Sequence, residues 1–232
     1  MAINHICNIP ASKMLAGITE ARSVNISEKL PALDEKLDAL LAGIAGDLAG
    51  DLAGDAEAFR LASRDMLRNG TYKPTGRAKP ASEYLLKAAR EGTFPRINTA
   101  VDINNYISLK YMVPISLWDI DKAGGRPLTI DLGHPGEKYV FNDAGQEIDL
   151  KDLVCGVLQD AEAGRIPVIN PVKDSMLTKT DPASVNIGYV VYYPAAAGSR
   201  EHLMIILNEI AGLLRGITED EVITAIAESV EK

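Results

Sequence analysis

The chain has 232 residues, 47 % of them apolar and 24 % charged, with a formal net charge of −8. That length suits one sizeable core and is marginal for two; no apolar run reaches the roughly 18 residues of a membrane span, and Met1 to Pro10 lacks the basic-then-apolar start of a signal peptide. Two cysteines and three scattered histidines (His5, His134, His202) give neither a disulfide framework nor metal-ligand spacing, so a cytosolic protein with no metal, no cofactor and no membrane partner is expected.

Residues 32–45 read as an amphipathic helix, with Leu33, Leu37, Leu40, Leu41 and Ile44 on one face and Pro31 just before the start. Gly46 to Gly54 is a four-residue repeat, Gly-Asp-Leu-Ala. Its glycines weaken a helix by about 1 kcal/mol each, which leaves a weak helix or a surface loop. No GK[ST] ending follows, so it is not a nucleotide loop. A helix over 56–68 stops at Asn69-Gly70. Pro74, Gly76 and Pro80 mark 71–80 as a loop. Ser82 is expected to cap a helix that runs to about Glu91 and closes at Gly92.

From Ile97 to about Tyr193 short β-rich runs alternate with turn residues. The expected strands are Leu128–Leu132, Lys138–Phe141, Leu153–Leu158, Ile166–Ile169 and Ile187–Tyr193, with a hairpin turn at Asn142 to Gly145. Alternation along the last strand puts Tyr189 and Tyr193 on one face and Tyr192 on the other. Leu203, Ile206, Leu207, Ile210, Leu213 and Leu214 form a helical stripe ending near Gly216. Thr218 and Glu221 match a capping box, which predicts a final helix toward Val230. The sum is an α+β chain of one domain: a helical lead-in over about 1–92, a β-rich core over about 97–193, and C-terminal helices over about 199–230.

The segment Ile97-Asn-Thr-Ala-Val-Asp-Ile-Asn-Asn-Tyr-Ile-Ser-Leu-Lys-Tyr-Met-Val-Pro-Ile-Ser-Leu-Trp-Asp119 resembles a run of the form VVD(V/I)TNYVxLxxGQPMHAFD. That run belongs to the B3/B4 domain of the bacterial phenylalanyl-tRNA synthetase beta subunit. Val101, Asp102, Asn105, Tyr106, Leu109, Pro114 and Asp119 stand in register without a gap. Asn142 to Gly145 resembles that family's turn, and Asp174-Ser175, Thr178, Thr180 and Asn186 resemble its S--T--T-N stretch. The likeness spans about residues 64–215 and also fits the freestanding members, with their helical lead-in. It implies a three-layer α+β fold around a β-sandwich. It further implies a pocket near the strand after the VD--N helix, where a misattached amino acid is cleaved from tRNA.

Ester hydrolysis needs a positioned water, an orienter for its proton and donors for the oxyanion. The resemblance names Arg96, Asn105, Tyr106, Ser116, Asp119, Glu137, Asp174, Ser175, Thr178, Thr180 and Asn186 as pocket candidates, with no catalytic residue assigned. Several have a structural alternative: Asn105 and Tyr106 in helix packing, Asp119 and Glu137 in turns, and the 174–180 group in local backbone bonds. Ser116 stands where the synthetase has a histidine, so imidazole chemistry is absent there. Pro95, followed by Arg96, falls at the family's basic position, and Val190 falls nearest its strand glutamate.

Two readings lead, ahead of a partner-binding subunit that would use the leucine-rich terminal helices, whose stripes read better as core. One is a trans-acting aminoacyl-tRNA deacylase or tRNA-binding protein. The other is a non-catalytic module for an amino acid or similar small ligand. DNA is not an expected partner. The net charge is unfavourable for RNA, so any RNA contact must use a local patch. Arg64, Arg68, Lys73, Arg77, Lys79, Lys87 and Arg90 are the cluster available for it, or else a solvated helix face.

Overall fold

A computed structural model describes residues 4–46 and 54–229. The interior of the Gly46–Gly54 repeat and Val230 lie outside the described residues. A four-stranded sheet is the centre of the fold. It contains β2 (Met14–Ala21), β3 (Ile115–Asp119), β9 (Ile187–Pro194) and β10 (Val222–Ile226), in the order β10-β2-β9-β3 and all antiparallel, whereas β1 (Ile6–Cys7) belongs to the other sheet. A second, five-stranded sheet contains β1, β4 (Thr129–Leu132), β7 (Val154–Asp160), β8 (Gly164–Ile169) and β11 (Glu228–Ser229), in the order β11-β1-β4-β7-β8. A hairpin of β5 (Lys138–Val140) and β6 (Glu147–Asp149) stands apart from both. The helices are α1 (Pro31–Gly46), α2 (Gly54–Met66), α3 (Ala81–Arg90), α4 (Thr99–Tyr111) and α5 (Arg200–Leu214). The fold is α+β.

Alternation along the strands divides the core. Tyr189, Val191 and Tyr193 face the helices and pack with Leu33, Leu37, Ile103, Ile107, Leu203 and Leu207. Val190 and Tyr192 face the other way, and join Trp118, Met14, Ile18, Val154 and Ile169 between the two sheets. All three tyrosines are fully buried, so none is a stacking platform. Two glycines allow this closeness. A Cβ on Gly188 would meet the Trp118 ring at 2.3 Å, and one on Gly17 would meet Leu203 and Leu207 at 2.8 Å. No helix among the described residues is long and apolar enough to cross a membrane.

Three expectations are corrected. The lead-in is not helical throughout, because β2 runs through it between β9 and β10. Its residues are covered on both faces, so they show no alternation to read. The capping box at Thr218 opens no helix. The Thr218 hydroxyl donates to Arg22 O at 2.6 Å and accepts from Asp220 N at 3.0 Å, and the chain then enters β10. The run Val222-Ile-Thr-Ala-Ile226 is β-branched and completes the edge of β2. Ser82 is not the cap of α3: Pro80 holds that position, and the buried Ser82 hydroxyl has no hydrogen-bond partner.

Candidate functional site

Among the described residues, two surface cavities take in residues that the sequence singles out. The larger, about 1120 Å³, lies between the first turns of α1, the segment 96–102 leading into α4, and the loop 176–182. Asn98 caps α4 by accepting from Val101 N at 3.0 Å, and Thr99 N donates to Ile26 O at 3.0 Å, which fixes this wall. Arg96 donates to Asp34 at 2.9 Å and to Asp38 at 2.5 Å, tying the wall to α1. Across the cleft the Lys122 ammonium lies 2.7 Å from Asp181 and also donates to Lys179 O at 2.6 Å.

Four charged groups of the cleft, Lys29, Asp102, Asp143 and Lys179, stand outside this pairing among the described residues, and Asp102 and Lys179 are the two whose contacts define the walls of the 96–102 and 176–182 segments. The Lys179 ammonium has only the Met176 sulfur, at 3.8 Å. Asp102 accepts from Ile97 N at 3.0 Å through Oδ1, which leaves Oδ2 free of a protein donor. Burial raises the Asp102 pKa, against the lowering effects of the Ile97 amide and the Arg96 guanidinium. The 96–102 and 176–182 walls thus face each other with an unpaired anion, Asp102, and an unpaired cation, Lys179.

The smaller cavity, about 610 Å³, lies between β5, β8 and the 175–177 turn. Glu137 borders it, accepting from His134 N at 2.7 Å and from Arg165 Nε at 3.1 Å, and Arg165 also pairs with Asp131 at 3.1 Å. Against the opposing effect of burial, the Arg165 contact and the His134 amide hold Glu137 below the usual carboxylate range, and the Asn8 amide, the Leu132 amide and then Arg165 do the same for Asp131. Ser175 caps the turn over Met176–Thr178.

The other sequence candidates divide as follows. Thr180 lines the larger cleft with Arg96. Asn105 is buried on α4 and accepts from Asn104 at 3.3 Å. Tyr106 is buried and donates to Glu209 of α5 at 3.2 Å. Asp119 holds the 119–122 turn by accepting from Lys122 N at 2.9 Å, and it also accepts from the Ser184 hydroxyl. Asn186 joins Asp121 at 2.9 Å to Ser23 N at 3.2 Å. Thr178 is buried with an unpartnered hydroxyl.

Ser116 is fully buried. Its hydroxyl donates to Asn170 O at 3.0 Å and lies 3.1 Å from the Tyr192 hydroxyl. Asp174 reaches solvent in part, but its carboxylate turns inward and accepts from Leu117 N and Asn170 N, each at 3.2 Å. Burial pushes the Asp174 pKa up to about 7. This polar group staples the 170–174 loop to β3, and neither Ser116 nor Asp174 lines either of the two cavities described.

The sequence of residues 72–231 matches the B3/4 domain model. The chain belongs to the B3/4 domain family. Stretches of 112 and 111 residues are each 30 % identical to the phenylalanine–tRNA ligase beta subunits of Moorella thermoacetica and Streptococcus mutans. A stretch of 80 residues is 34 % identical to the subunit of that name from Streptococcus agalactiae. These matches cover 48 %, 47 % and 34 % of this chain but only 13 %, 13 % and 10 % of the relatives, so the likeness is to one part of a much longer subunit.

In this B3/4 chain the strand register pairs Ser116 with Val190. These are the positions that the resemblance aligns with the synthetase histidine and strand glutamate. Cross-strand partners share a face of the sheet, so the two positions are neighbours in this chain. In this chain the place is taken by a hydroxyl and an apolar side chain, backed by Tyr192 and Trp118 in the core.

Sequence reasoning did not single out Asp102, Lys122, Lys179 or Asp181 for the cleft. For Asp102 the signal was its place in the family-like run. Lys122 and Asp181 are 59 positions apart, and no local pattern links them.

Proposed function

We propose that this B3/4 chain is a tRNA-synthetase-related binding module that takes an amino-acid-like group, such as the aminoacyl end of tRNA, in the cleft walled by Arg96–Asp102. One observation carries the reading: Asp102 Oδ2 and the Lys179 ammonium stand unpaired in a cleft of about 1120 Å³ whose other charges are largely tied in ion pairs. An α-ammonium suits the carboxylate. A carboxylate or ester carbonyl suits the lysine. Arg96 and Thr180 border the ligand, and Arg96 stiffens the wall through Asp34 and Asp38. The burial of Ser116 beside Val190 supports binding without hydrolysis.

The test is thermal shift with free amino acids and with a non-hydrolysable amide analogue of aminoacyl-adenosine. A bound ligand raises the unfolding midpoint in proportion to its occupancy. Asp102→Asn should abolish the rise while the variant keeps its circular dichroism spectrum. No rise with any member of either series sinks the reading.

A second reading is hydrolysis in trans of a mischarged tRNA. The raised pKa of Asp102 favours it, because a more basic carboxylate better accepts a proton from an attacking water. Over a panel of mischarged tRNAs, ester loss no faster than the spontaneous rate eliminates this alternative.

A further inference from the structure

Beyond the cleft, the loop 71–80 is a dense basic element in an acidic chain. It contains Lys73, Arg77 and Lys79 and no carboxylate. Its backbone is held from several sides. The Tyr72 hydroxyl donates to Ala78 O at 2.9 Å, and the Tyr84 hydroxyl donates to Gly76 O at 3.2 Å. Thr71 donates to Asp152 through both its amide, at 2.7 Å, and its hydroxyl, at 2.6 Å. Ala81 N donates to Pro171 O at 2.9 Å, so the loop lies against the segment that carries Lys173.

The neighbouring cations of the same sequence cluster are neutralised. Arg64 is bound to Glu83, Arg68 to Asp65 and Lys87 to Glu91. Lys73, Arg77, Lys79 and Lys173 make no ion pair among the described residues. Burial lowers the Lys173 pKa, and the nearby Arg77 guanidinium lowers it further. The Lys173 ammonium sits 3.8 Å from the centre of the Phe141 ring. Two residues further along that hairpin, Asp143 borders the large cleft. Arg77 and Lys173 are therefore neighbours, and Lys173 lies against the hairpin whose Asp143 reaches the rim of the cleft. Fixed like charges are unfavourable together until an anion joins them.

We propose that Lys73, Arg77, Lys79 and Lys173 form a phosphate track for a single RNA strand whose 3′ end enters the cleft. The inference rests on the reading that the cleft ligand is carried on RNA. The rigid backbone presents the four side chains without a loop-ordering cost. The negative field of the rest of the chain disfavours other approaches of a polyanion.

Binding of uncharged tRNA and of its single-stranded 3′ segment, followed by fluorescence anisotropy across a salt series, tests the track. Neutralising four phosphates of a single strand gives a slope of log K against log salt of about −3. The double variant Arg77→Glu/Lys173→Glu should bind at least tenfold more weakly and flatten that slope by about 1.4. Its unfolding midpoint should stay unchanged. Lys36→Glu, which reverses a charge on the exposed face of α1, should bind as the parent does. Three results would each overturn the track: no RNA binding by the parent, affinity unaffected by the double variant, or an equal loss with Lys36→Glu. Uncharged RNA has no amino acid, so a failure of amino-acid binding in the cleft would leave this measurement intact, and the thermal-shift series reads the cleft alone.

Discussion

The cleft at Arg96–Asp102 and the polar group around Ser116 draw on the same family-like segment, and they differ in one respect. Around Ser116 the polar atoms bond to one another: hydroxyl to carbonyl, carboxylate to two amides, all against Trp118 and Tyr192. In the cleft, Asp102 Oδ2 and the Lys179 ammonium have no comparable partner among the described residues. Polarity alone does not distinguish a binding wall from a structural staple. What separates them is whether the hydrogen-bonding and charge demands are already met inside the protein.

The largest effect that would sharpen this contrast is at Trp118. Trp118→Ala removes a fully buried indole between the sheets and should lower stability by about 3–5 kcal/mol in urea unfolding. Next comes Asp174→Ala, which leaves the Leu117 and Asn170 amides unmatched and should destabilise by about 3 kcal/mol. A cost near zero would show that the group is not a staple.

Asp174 also sets a pH dependence. An unfolded aspartate titrates near 3.9, and burial pushes the folded group up to about 7. The folded state therefore holds this proton more tightly. The group's contribution is full below about pH 4 and is lost as pH rises through 7. Comparing unfolding free energies of the parent and Asp174→Asn between these limits isolates it, because carboxylates such as Asp131 titrate alike in both. The parent should lose stability relative to the variant as pH rises.

Smaller effects follow. Ser116→Ala removes one interior hydroxyl and should cost about 1 kcal/mol in denaturant unfolding, with the ligand-induced midpoint rise intact. Loss of that rise would make Ser116 part of the binding wall and break the contrast. Arg96→Ala breaks ion pairs with exposed aspartates, so its stability change should stay within about 1 kcal/mol. The same variant should weaken the ligand response by loosening the wall.

Several elements were legible because they announce themselves locally. The α5 stripe, the Asn142–Gly145 hairpin turn and the tyrosine alternation of β9 all depend on neighbours within one or two turns or strand repeats. β2 was hidden because both its faces are covered. The strands after Thr218 were hidden because a local capping pattern lost to the open edge of β2. Of the eleven pocket candidates, the sequence brought Arg96 and Thr180 to the large cleft, and Glu137 and Ser175 to the small one. Nothing in the letters shows that the Ser116 hydroxyl already has partners.

The sequence by itself determined the α+β character and the B3/4 likeness, since these depend on residue identity and short-range order. Only the tertiary structure decided that Ser116 faces Val190 in a closed interior, that Lys122 meets Asp181, and that Asp102 and Lys179 stand unpaired in one cleft. The reason is that pairing and burial are properties of strands and loops brought together from distant parts of the chain, and a residue's chemistry depends on which neighbours it finds there.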